Sequence, residues 1–311
     1  MFTLIRRVPG RLAILTGLTS LVTLAGSTPA DGGMDPYAAL PAEIALTGTA
    51  RDFRERSAPG GHPDFERPPT AGFGQYANIV ADDLDADGKP RFKSSGTKVV
   101  SQFRDAQGRS ICAPKSYIAA RPGDRTGSLS ASASGAISGE TGLRQWFRDV
   151  PGVNQSKPVA ITLRRKPGSN TYTFSDKTDQ TYAQKGGFFP MNGELYGNSG
   201  GGGLADTNYH FTYELSTEFK YEAGKGQLFR FTGDDDVWVF IDNKLVIDIG
   251  GVHGAVDQVI DLDRLTWLAD GKSYSLRFFF AERHRTQSNF MIETTLHLRS
   301  VSPPATSGLH D

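Results

Sequence analysis

The chain is poor in cysteine. Among its 311 residues only Cys112 carries a thiol, so no internal disulfide can form. This excludes the small disulfide-stapled scaffolds that are common among exported domains. Because Cys112 lies in an Ile-Cys-Ala-Pro segment, we expect it to pack as a small apolar residue and not to act as a nucleophile.

The chain also lacks an excess of charge and the common catalytic motifs. Its 34 basic and 34 acidic residues give a formal net charge of zero, and no long basic run occurs, so we expect no nucleic-acid partner. It contains no His-Glu-x-x-His, no Gly-x-Ser-x-Gly and no phosphate-binding Gly-x-x-x-x-Gly-Lys-Ser/Thr. We therefore expect a protein that is not an enzyme, with glycoside hydrolysis left open.

Long apolar runs are absent outside the N-terminus. There, Arg6, Arg7 and Arg11 precede an apolar stretch at 12–25, and small residues lead to a plausible signal-peptidase site at 28–30. The pattern predicts a signal peptide at 1–30, Sec-type export to a secreted or cell-surface location, and no membrane span in the mature chain. An uncleaved N-terminal anchor is the alternative.

Aromatic and β-branched runs, in contrast, are plentiful and are separated by Gly, Asn and Asp turns. Residues 211–221 alternate between apolar and polar, as a half-buried antiparallel strand does. Many strands and few helical periods predict an all-β fold, an antiparallel β-sandwich with long loops and minor helices. Alternation puts Trp238 on the face opposite Val237 and Val239, where we expect it to be buried.

The predicted organisation has four parts. Residues 31–43 are small and polar and indicate a linker between the signal peptide and the folded region. Residues 44–300 are expected to form one domain with elaborations, because no internal repeat is visible, although 44–155 is less regular than the rest. Residues 301–311 are expected to be a disordered tail.

Three consecutive aspartates, Asp234, Asp235 and Asp236, precede the most apolar strand. At about 4 Å and an effective dielectric near 20, each pair of like charges costs on the order of 4 kcal/mol. A strand edge tolerates that cost if water solvates the charges or if a cation collects them. Calcium takes about six to eight oxygen ligands and is the cation we expect, with a solvated turn as the alternative.

The loop at 248–254 is the second candidate segment. Gly250 and Gly251 permit backbone conformations that a side chain would block, which either opens a ligand-accepting loop or makes a tight connection. His253 follows them and could hydrogen-bond a ligand or the acidic run, with a purely structural histidine as the alternative. We therefore include Gly250, Gly251 and His253, together with Asp236, among the expected ligand contacts.

The polar loop at 282–290 is the third candidate segment, since it could face the acidic run across one end of a sandwich. Glu282 and Asn289 could supply oxygen ligands to a metal. Arg283 could pair with Asp236 or Asp248, and we expect Arg283 and His284 to contact the ligand. In the alternative interpretation, Glu282 and Arg283 form a salt bridge that holds the loop.

A further acidic run at 83–88 matches only part of a calcium-loop pattern. Asp83, Asp85, Asp87 and Gly88 fit the front of an EF-hand, but Ser94 stands where the closing Glu belongs. We therefore interpret this run as an ordinary polar turn.

The segment 232–254, which contains the acidic run, resembles the fibro-slime domain, a relative of the PA14 domain. Other matching pieces follow in the expected order at 48–53, 62–66, 145–154, 188–192, 208–214, 279–284 and 288–290. The resemblance implies a secreted or surface protein with a PA14-like β-sandwich. PA14-like domains occur in adhesins, glycosidases and toxins, and several bind carbohydrate.

The resemblance also implies a cofactor and a partner. In the yeast adhesin branch, two adjacent aspartates hold a calcium ion that ligates sugar hydroxyls. By its spacing to the following Ile-Asp-Asn turn, that pair falls on Asp234 and Asp235. Calcium as cofactor and an extracellular glycan or polysaccharide as partner are therefore expected.

Three functions follow from these observations. The first is a calcium-assisted carbohydrate-binding or adhesion module, secreted or on the cell surface. The second is a structural component of an extracellular matrix without a small-ligand site. The third is a glycoside hydrolase. Such an enzyme needs two carboxylates that flank the bond it cleaves, and here these would be Asp236 and Glu282.

Overall fold

The computed structural model describes residues 35–200 and 206–301, whose regular structure consists mainly of antiparallel strands joined by loops. The predicted signal peptide at 1–30 lies outside the described residues, as do 31–34 of the predicted linker and 302–311 of the predicted tail. The strands are β1 (Glu43–Phe53), β2 (Tyr76–Ala77), β3 (Val80–Leu84), β4 (Pro90–Phe92), β5 (Thr97–Ser101), β6 (Ser128–Ala133), β7 (Asn154–Arg165), β8 (Tyr172–Ser175), β9 (Phe211–Lys220), β10 (Leu228–Gly233), β11 (Asp236–Ile241), β12 (Lys244–Ile249), β13 (Val256–Asp261), β14 (Ser273–Glu282), β15 (Phe290–Thr294) and β16 (Arg299–Ser300). The helices are α1 (Glu140–Trp146), α2 (Gln180–Ala183) and a 3-10 turn at Leu262–Arg264.

A single large sheet contains most of the strands. Its order is β13-β10-β15-β8-β7-β1-β9-β14-β11-β12-β3-β4, with β16 beside β9. The long strands β1 and β7 pair along their whole length, from Glu43 opposite Arg164 to Phe53 opposite Asn154, and lie in the middle of this order. Strand β1 alternates between exposed and buried positions, as a strand with one face on the core does.

The two halves of this sheet fold over and pack face to face. The ring of Phe231 on β10 lies 5.4 Å from Phe278 and 6.3 Å from Phe280, both on β14 in the other half. Since β10 and β14 do not pair, these contacts join the two halves of a curled sheet across its interior. The prediction of an all-β antiparallel sandwich is confirmed.

Phe290, the first residue of β15, lies at the centre of this core. Its ring centroid is 4.3 Å from Phe188, 5.2 Å from Phe280 and 5.2 Å from Phe231. Most of these rings meet edge to face, the arrangement that aromatic quadrupoles favour. Phe290 therefore fastens both halves of the sandwich directly beside the loop that precedes it.

Strand β11 is buried on both faces. Val237, Val239 and Ile241 pack in the main core, whereas Trp238 and Phe240 belong to a second apolar cluster on the outer side. Residues from α1 and from 76–84 and 136–137 cover that outer side. The predicted alternation and burial of Trp238 are confirmed, since its side chain is fully buried.

Three connections cross between the halves of the sandwich at one end, which we call the rim. The first crossover (234–235) joins β10 to β11, the second crossover (250–255) joins β12 to β13, and the third crossover (283–289) joins β14 to β15. Strand pairing fixes their proximity, because Gly233 pairs with Phe290 and Asp236 pairs with Ala281. Segments distant in sequence therefore meet at the rim.

Two remaining features concern Cys112 and the helices. Burial raises the pKa of the Cys112 thiol to about 12, so this group stays protonated and unreactive at neutral pH. Among the described residues, none of the helices is long and apolar enough to cross a bilayer.

Truncating Phe290 should destabilise the fold strongly, because the cavity left in an aromatic core cannot collapse. We expect Phe290→Ala to lower the free energy of unfolding by about 3–5 kcal/mol, measured by chemical denaturation. Val100→Ala is the control, since Val100 is 70% exposed on β5 and should change stability by no more than about 0.5 kcal/mol. Equal effects of the two substitutions would contradict this account of the core.

Candidate ligand-binding site at the rim

Asp234 fastens the first crossover to the third. Its Oδ1 accepts a hydrogen bond from the backbone N–H of Asn289 at 2.5 Å, and its Oδ2 accepts one from the Asn289 side-chain amide at 2.6 Å. The backbone N–H of Asp234 donates in return to the carbonyl of Asn289 at 3.2 Å. Asn289 therefore acts here as a hydrogen-bond donor to Asp234. Its role as an oxygen ligand of a metal ion stays a prediction.

Asp235 connects all three crossovers. It follows Asp234 through a cis peptide bond and is buried. Its Oδ1 accepts from the backbone N–H of His253 at 3.2 Å, and its Oδ2 accepts from the backbone N–H of Arg283 at 3.2 Å. No side-chain cation contacts this carboxylate among the described residues, so two backbone dipoles are its only hydrogen-bond donors there.

Glu282 ends β14 beneath the two aspartates and is fully buried. Its Oε1 accepts a long hydrogen bond, 3.4 Å, from the backbone N–H of His284. Its Oε2 is buried and makes no hydrogen bond within 3.5 Å in the described part of the chain, although the nearby Ser288 side chain favours the ionised form of Glu282 and lowers its pKa. Leaving such an acceptor unpaired costs about 1–3 kcal/mol, which marks Glu282 as a group adapted to a proton or a cation.

Three acidic residues of the rim have raised pKa values, because they are buried with little positive charge nearby. Burial raises the pKa of Asp234 to about 6. Burial raises the pKa of Asp235 well above its usual value, and repulsion from Asp234 and Asp236 adds to the effect while Arg283 opposes it. Burial, together with repulsion from Asp235 and Asp234, does the same to the pKa of Glu282.

Asp236 and Arg283 form an ion pair that is inaccessible to solvent on both sides. Arg283 Nε lies 2.5 Å from Asp236 Oδ2, and the other carboxylate oxygen accepts from the backbone N–H of Gly251 at 2.6 Å. Arg283 also donates to the carbonyl of Asp64 at 3.2 Å, and its guanidinium lies 5.1 Å from the centre of the Trp146 ring. The predicted pairing with Asp236 is confirmed, but the expected ligand contacts of both residues are corrected to positioning roles, because neither side chain is exposed.

The expectation that Gly250 and Gly251 open a ligand loop is likewise corrected. Both glycines are buried, and a Cβ on Gly251 would lie 2.4 Å from the ring of Tyr76 and 2.7 Å from the carbonyl of Gly74. Gly251 also has a φ of +93°, which disfavours any side chain. These glycines therefore let the segment at 74–76 pack closely beneath the second crossover.

A cavity of about 210 Å³ opens at the rim beside the aspartates. It is lined by Phe73, Asp234, Asp235, Val252, His253, Gly254, His284, Thr286 and Gln287. Four of the predicted site residues thus share one cavity: both members of the adjacent Asp pair and both histidines. Asn289 and Glu282 stand behind them in contact with the same loops.

His253, one of the two histidines of this cavity, has one ring nitrogen that is hydrogen-bonded and one that is not. His253 Nδ1 lies 2.9 Å from the carbonyl of Gly254 and must donate to it, while Nε2 is buried and finds no partner among the described residues. Burial lowers the pKa of His253, which favours the neutral ring. Its Nε2 is therefore available as a hydrogen-bond acceptor.

Sequence reasoning missed the wall formed by Phe73, Thr286 and Gln287. Phe73 comes from a segment to which the sequence assigned no role, although an aromatic residue between Gly72 and Gly74 in a polar stretch is an available signal. Thr286 and Gln287 lie in the middle of the third crossover, where the sequence singled out only residues nearer to its two ends.

The acidic run at 83–88 is the polar turn that the sequence indicated. Asp85 Oδ1 accepts from the backbone N–H groups of Asp87 and Lys89, at 3.0 and 2.8 Å. Its other oxygen lies 2.5 Å from Arg148. This run closes a loop and lies outside the rim cavity.

The rim carboxylates fit a hard cation in part. An ionised carboxylate offers about four lone-pair sites, so the four hydrogen bonds to Asp234 and Asp235 leave roughly half of their sites available. Within 35–200 and 206–301, however, no three side chains of His, Cys, Asp or Glu form a ready-made metal cluster. A calcium ion here would need its other ligands from carbonyls, water or a bound molecule.

Comparison with known proteins finds a family match over part of the chain. The PA14 domain model matches residues 165–306, which include all three crossovers. This confirms the predicted relation to PA14 domains, while the narrower fibro-slime assignment stays a prediction. A solved PA14 sugar-binding domain from an RTX adhesin is 17% identical, with a TM-score of 0.21 over 31% of this chain and 50% of that chain.

Curated relatives come from Dictyostelium discoideum. Protein psiQ is 36% identical over 185 residues, covering 56% of this chain and 18% of psiQ. Protein psiD is 40% identical over 156 residues, covering 49% of this chain and 28% of psiD. The chain thus spans less than a third of either relative.

Removing the Arg283 side chain should be far more damaging than removing an exposed arginine. Because Arg283→Ala leaves Asp236 buried and unpaired, we expect a loss of about 3–5 kcal/mol in the free energy of unfolding. Arg164→Ala is the matched control, since its partner Glu43 is 55% exposed and such pairs contribute no more than about 1 kcal/mol. Similar losses in both variants, measured by urea denaturation, would refute the assigned role.

The raised pKa of Asp234 predicts a pH-dependent stability. Between its usual pKa of 3.8 and about 6, the folded protein keeps a proton that the unfolded chain has lost. Stability should therefore fall as pH rises through this window, by on the order of 3 kcal/mol for this group. We expect Asp234→Asn to flatten the curve, measured in EDTA from pH 4 to 7.

Comparison of the two proteins reports Asp234 together with its effect on Asp235 and Glu282, because the charge of Asp234 also raises the pKa of both neighbours. Asp52, whose pKa burial also raises to about 6, serves as an internal reference. Parallel stability curves for the wild type and Asp234→Asn would contradict the raised pKa.

Proposed function

We propose that this chain, which carries a PA14 domain at residues 165–306, is a calcium-assisted carbohydrate-binding or adhesion module that works outside the cell. The domain supports carbohydrate binding or adhesion in general. The calcium ion and the extracellular location are further parts of the proposal, the latter based on the predicted signal peptide.

One observation carries the proposal: adjacent buried carboxylates, Asp234 and Asp235, line an open cavity. Burial raises the pKa of both, and Glu282 behind them has an oxygen without a partner among the described residues. Burying acids with so little compensating positive charge costs folding free energy. A bound divalent cation would remove that cost. The cavity gives that cation access to solvent and to a ligand.

The residues of the rim would have two different roles, metal binding and positioning. Asp234 and Asp235 would hold the ion, and Asn289, His253 and Arg283 would keep the two carboxylates in position through the hydrogen bonds described above. When bound, calcium offers coordination positions to vicinal sugar hydroxyls. His253 Nε2 would accept a hydrogen bond from a further hydroxyl.

A structural matrix component is the second candidate function. The observation in its favour is that Asp234 and Asp235 already connect the three crossovers, so a bound ion could serve stability alone. Hydrolysis by Asp236 and Glu282 has less support, because both side chains are fully buried and Asp236 is engaged by Arg283 and Gly251.

Calcium titration and a glycan array test the proposal together. We expect Ca²⁺ binding with a Kd of about 10⁻⁴ to 10⁻³ M, the range of extracellular modules, and glycan binding that EDTA abolishes. Asp234→Asn and Asp235→Asn should each weaken calcium binding at least tenfold, since each removes one anionic ligand. Isothermal titration calorimetry measures the first effect and the array measures the second.

Asp83→Asn is the matched control, because Asp83 belongs to the other acidic run and its side chain is 56% exposed. It should bind calcium and glycans as the wild type does. Calcium binding that stabilises the protein while the array stays blank would favour the matrix function. The absence of a calcium heat together with EDTA-insensitive glycan binding would reject the mechanism.

A further inference from the structure

We propose that Phe73 forms the apolar contact of the rim cavity and stacks against the C–H face of a single pyranose unit. This inference rests on the proposed function and specifies its ligand: a sugar that presents vicinal hydroxyls on one side and an apolar ring face on another. Phe73 lies outside the PA14 match, which begins at residue 165.

The exposure of Phe73 is the first observation. Its side chain is 53% exposed, and no other Phe or Trp of the described residues is exposed to this degree. The ring lines the same cavity as Asp234 and Asp235. Ligand pockets combine aromatic walls with a few polar groups, and an exposed ring beside two carboxylates can contact both the apolar face and the hydroxyls of a sugar.

The second observation is that the backbone around Phe73 is held firmly. The carbonyl of Gly72 accepts from the Tyr76 hydroxyl at 2.7 Å, and the carbonyl of Ala71 accepts from Lys98 at 2.9 Å. Gly72 and Gly74 both have positive φ, +78° and +142°, so the chain bends sharply on each side of Phe73. A ring presented on a fixed backbone loses little entropy when a ligand binds.

The same segment is attached to the loops that carry the polar half of the site. The backbone N–H of Gly74 donates to the carbonyl of Val252 at 2.8 Å, directly beside His253. Further upstream, Glu66 accepts from the backbone N–H of Arg285 at 2.9 Å, and its own N–H donates to the carbonyl of Arg283 at 2.8 Å. The aromatic and acidic walls are thus parts of one hydrogen-bonded framework.

The ring itself is oriented by His284. Their centroids are 5.0 Å apart with an interplanar angle of 69°, an edge-to-face contact. The cavity volume of about 210 Å³ is below the roughly 300–1,000 Å³ typical of pockets for drug-sized ligands, which suits one sugar unit. The remaining units of a polysaccharide would extend into solvent.

Separate calcium and sugar titrations test this inference. Methyl pyranosides of mannose, galactose and glucose are titrated into calcium-loaded wild type, Phe73→Ala, Phe73→Leu and Phe73→Tyr. We expect Phe73→Ala to bind the preferred pyranoside roughly tenfold more weakly, on the order of 1.4 kcal/mol, while Phe73→Tyr retains affinity because it keeps the ring. All four proteins should bind calcium equally, since Phe73 supplies no oxygen ligand.

Nuclear magnetic resonance distinguishes stacking from a structural role. In the wild type, saturation transfer from the aromatic protons should reach the C–H protons of one sugar face, and these protons should shift upfield in the ring current. Phe73→Leu should abolish both signals even where some affinity remains. Val100→Ala, at an exposed apolar position outside the cavity, should leave them unchanged.

The outcomes separate this inference from the proposed function. Unchanged pyranoside affinity in Phe73→Ala, with normal calcium binding, overturns the role of Phe73 and leaves the calcium site standing. Failure of the wild type to bind calcium defeats the proposed function itself. Calcium binding without any pyranoside binding overturns the ligand assignment made here.

Discussion

The buried ion pair between Asp236 and Arg283 is the interaction on which the rim depends. It joins the first residue of β11 to the residue after β14, and through Gly251 and Asp64 it reaches the second crossover and the upstream segment. Arg283 also donates its backbone N–H to Asp235. One fully buried guanidinium thus helps to set the relative positions of the three crossovers and of the segment at Asp64.

This arrangement leaves the positive charge inside and the uncompensated negative charge at the surface of the cavity. Arg283 uses its side chain on Asp236. Within the described part of the chain, Asp235 therefore receives hydrogen bonds only from backbone N–H groups, and Asp234 only from the two amide groups of Asn289. The three aspartates of one run thus have different tasks. Asp236 positions the loops, whereas Asp234 and Asp235 remain as oxygen donors with capacity for a cation.

The sequence could assign the fold because strand alternation is a local property. The pattern at 211–221 and the alternation of Val237 and Trp238 depend on period-two spacing, which survives in any antiparallel sandwich. It could also single out Asp234, Asp235 and His253, since adjacent acids and a histidine in a glycine-containing loop are unusual in themselves. The wrong assignments, Asp236 and Gly251 as ligand contacts, concern residues whose partners are distant in sequence.

What the sequence determined by itself was the class of fold and the burial of Trp238, because both follow from spacing along a strand. Only the tertiary structure decided which acid is neutralised, that Phe73 stands beside the pair, and that Gly251 packs on Tyr76. The physical reason is that strand pairing, which places Gly233 opposite Phe290 and Asp236 opposite Ala281, brings distant loops to a common rim. No local pattern encodes that register.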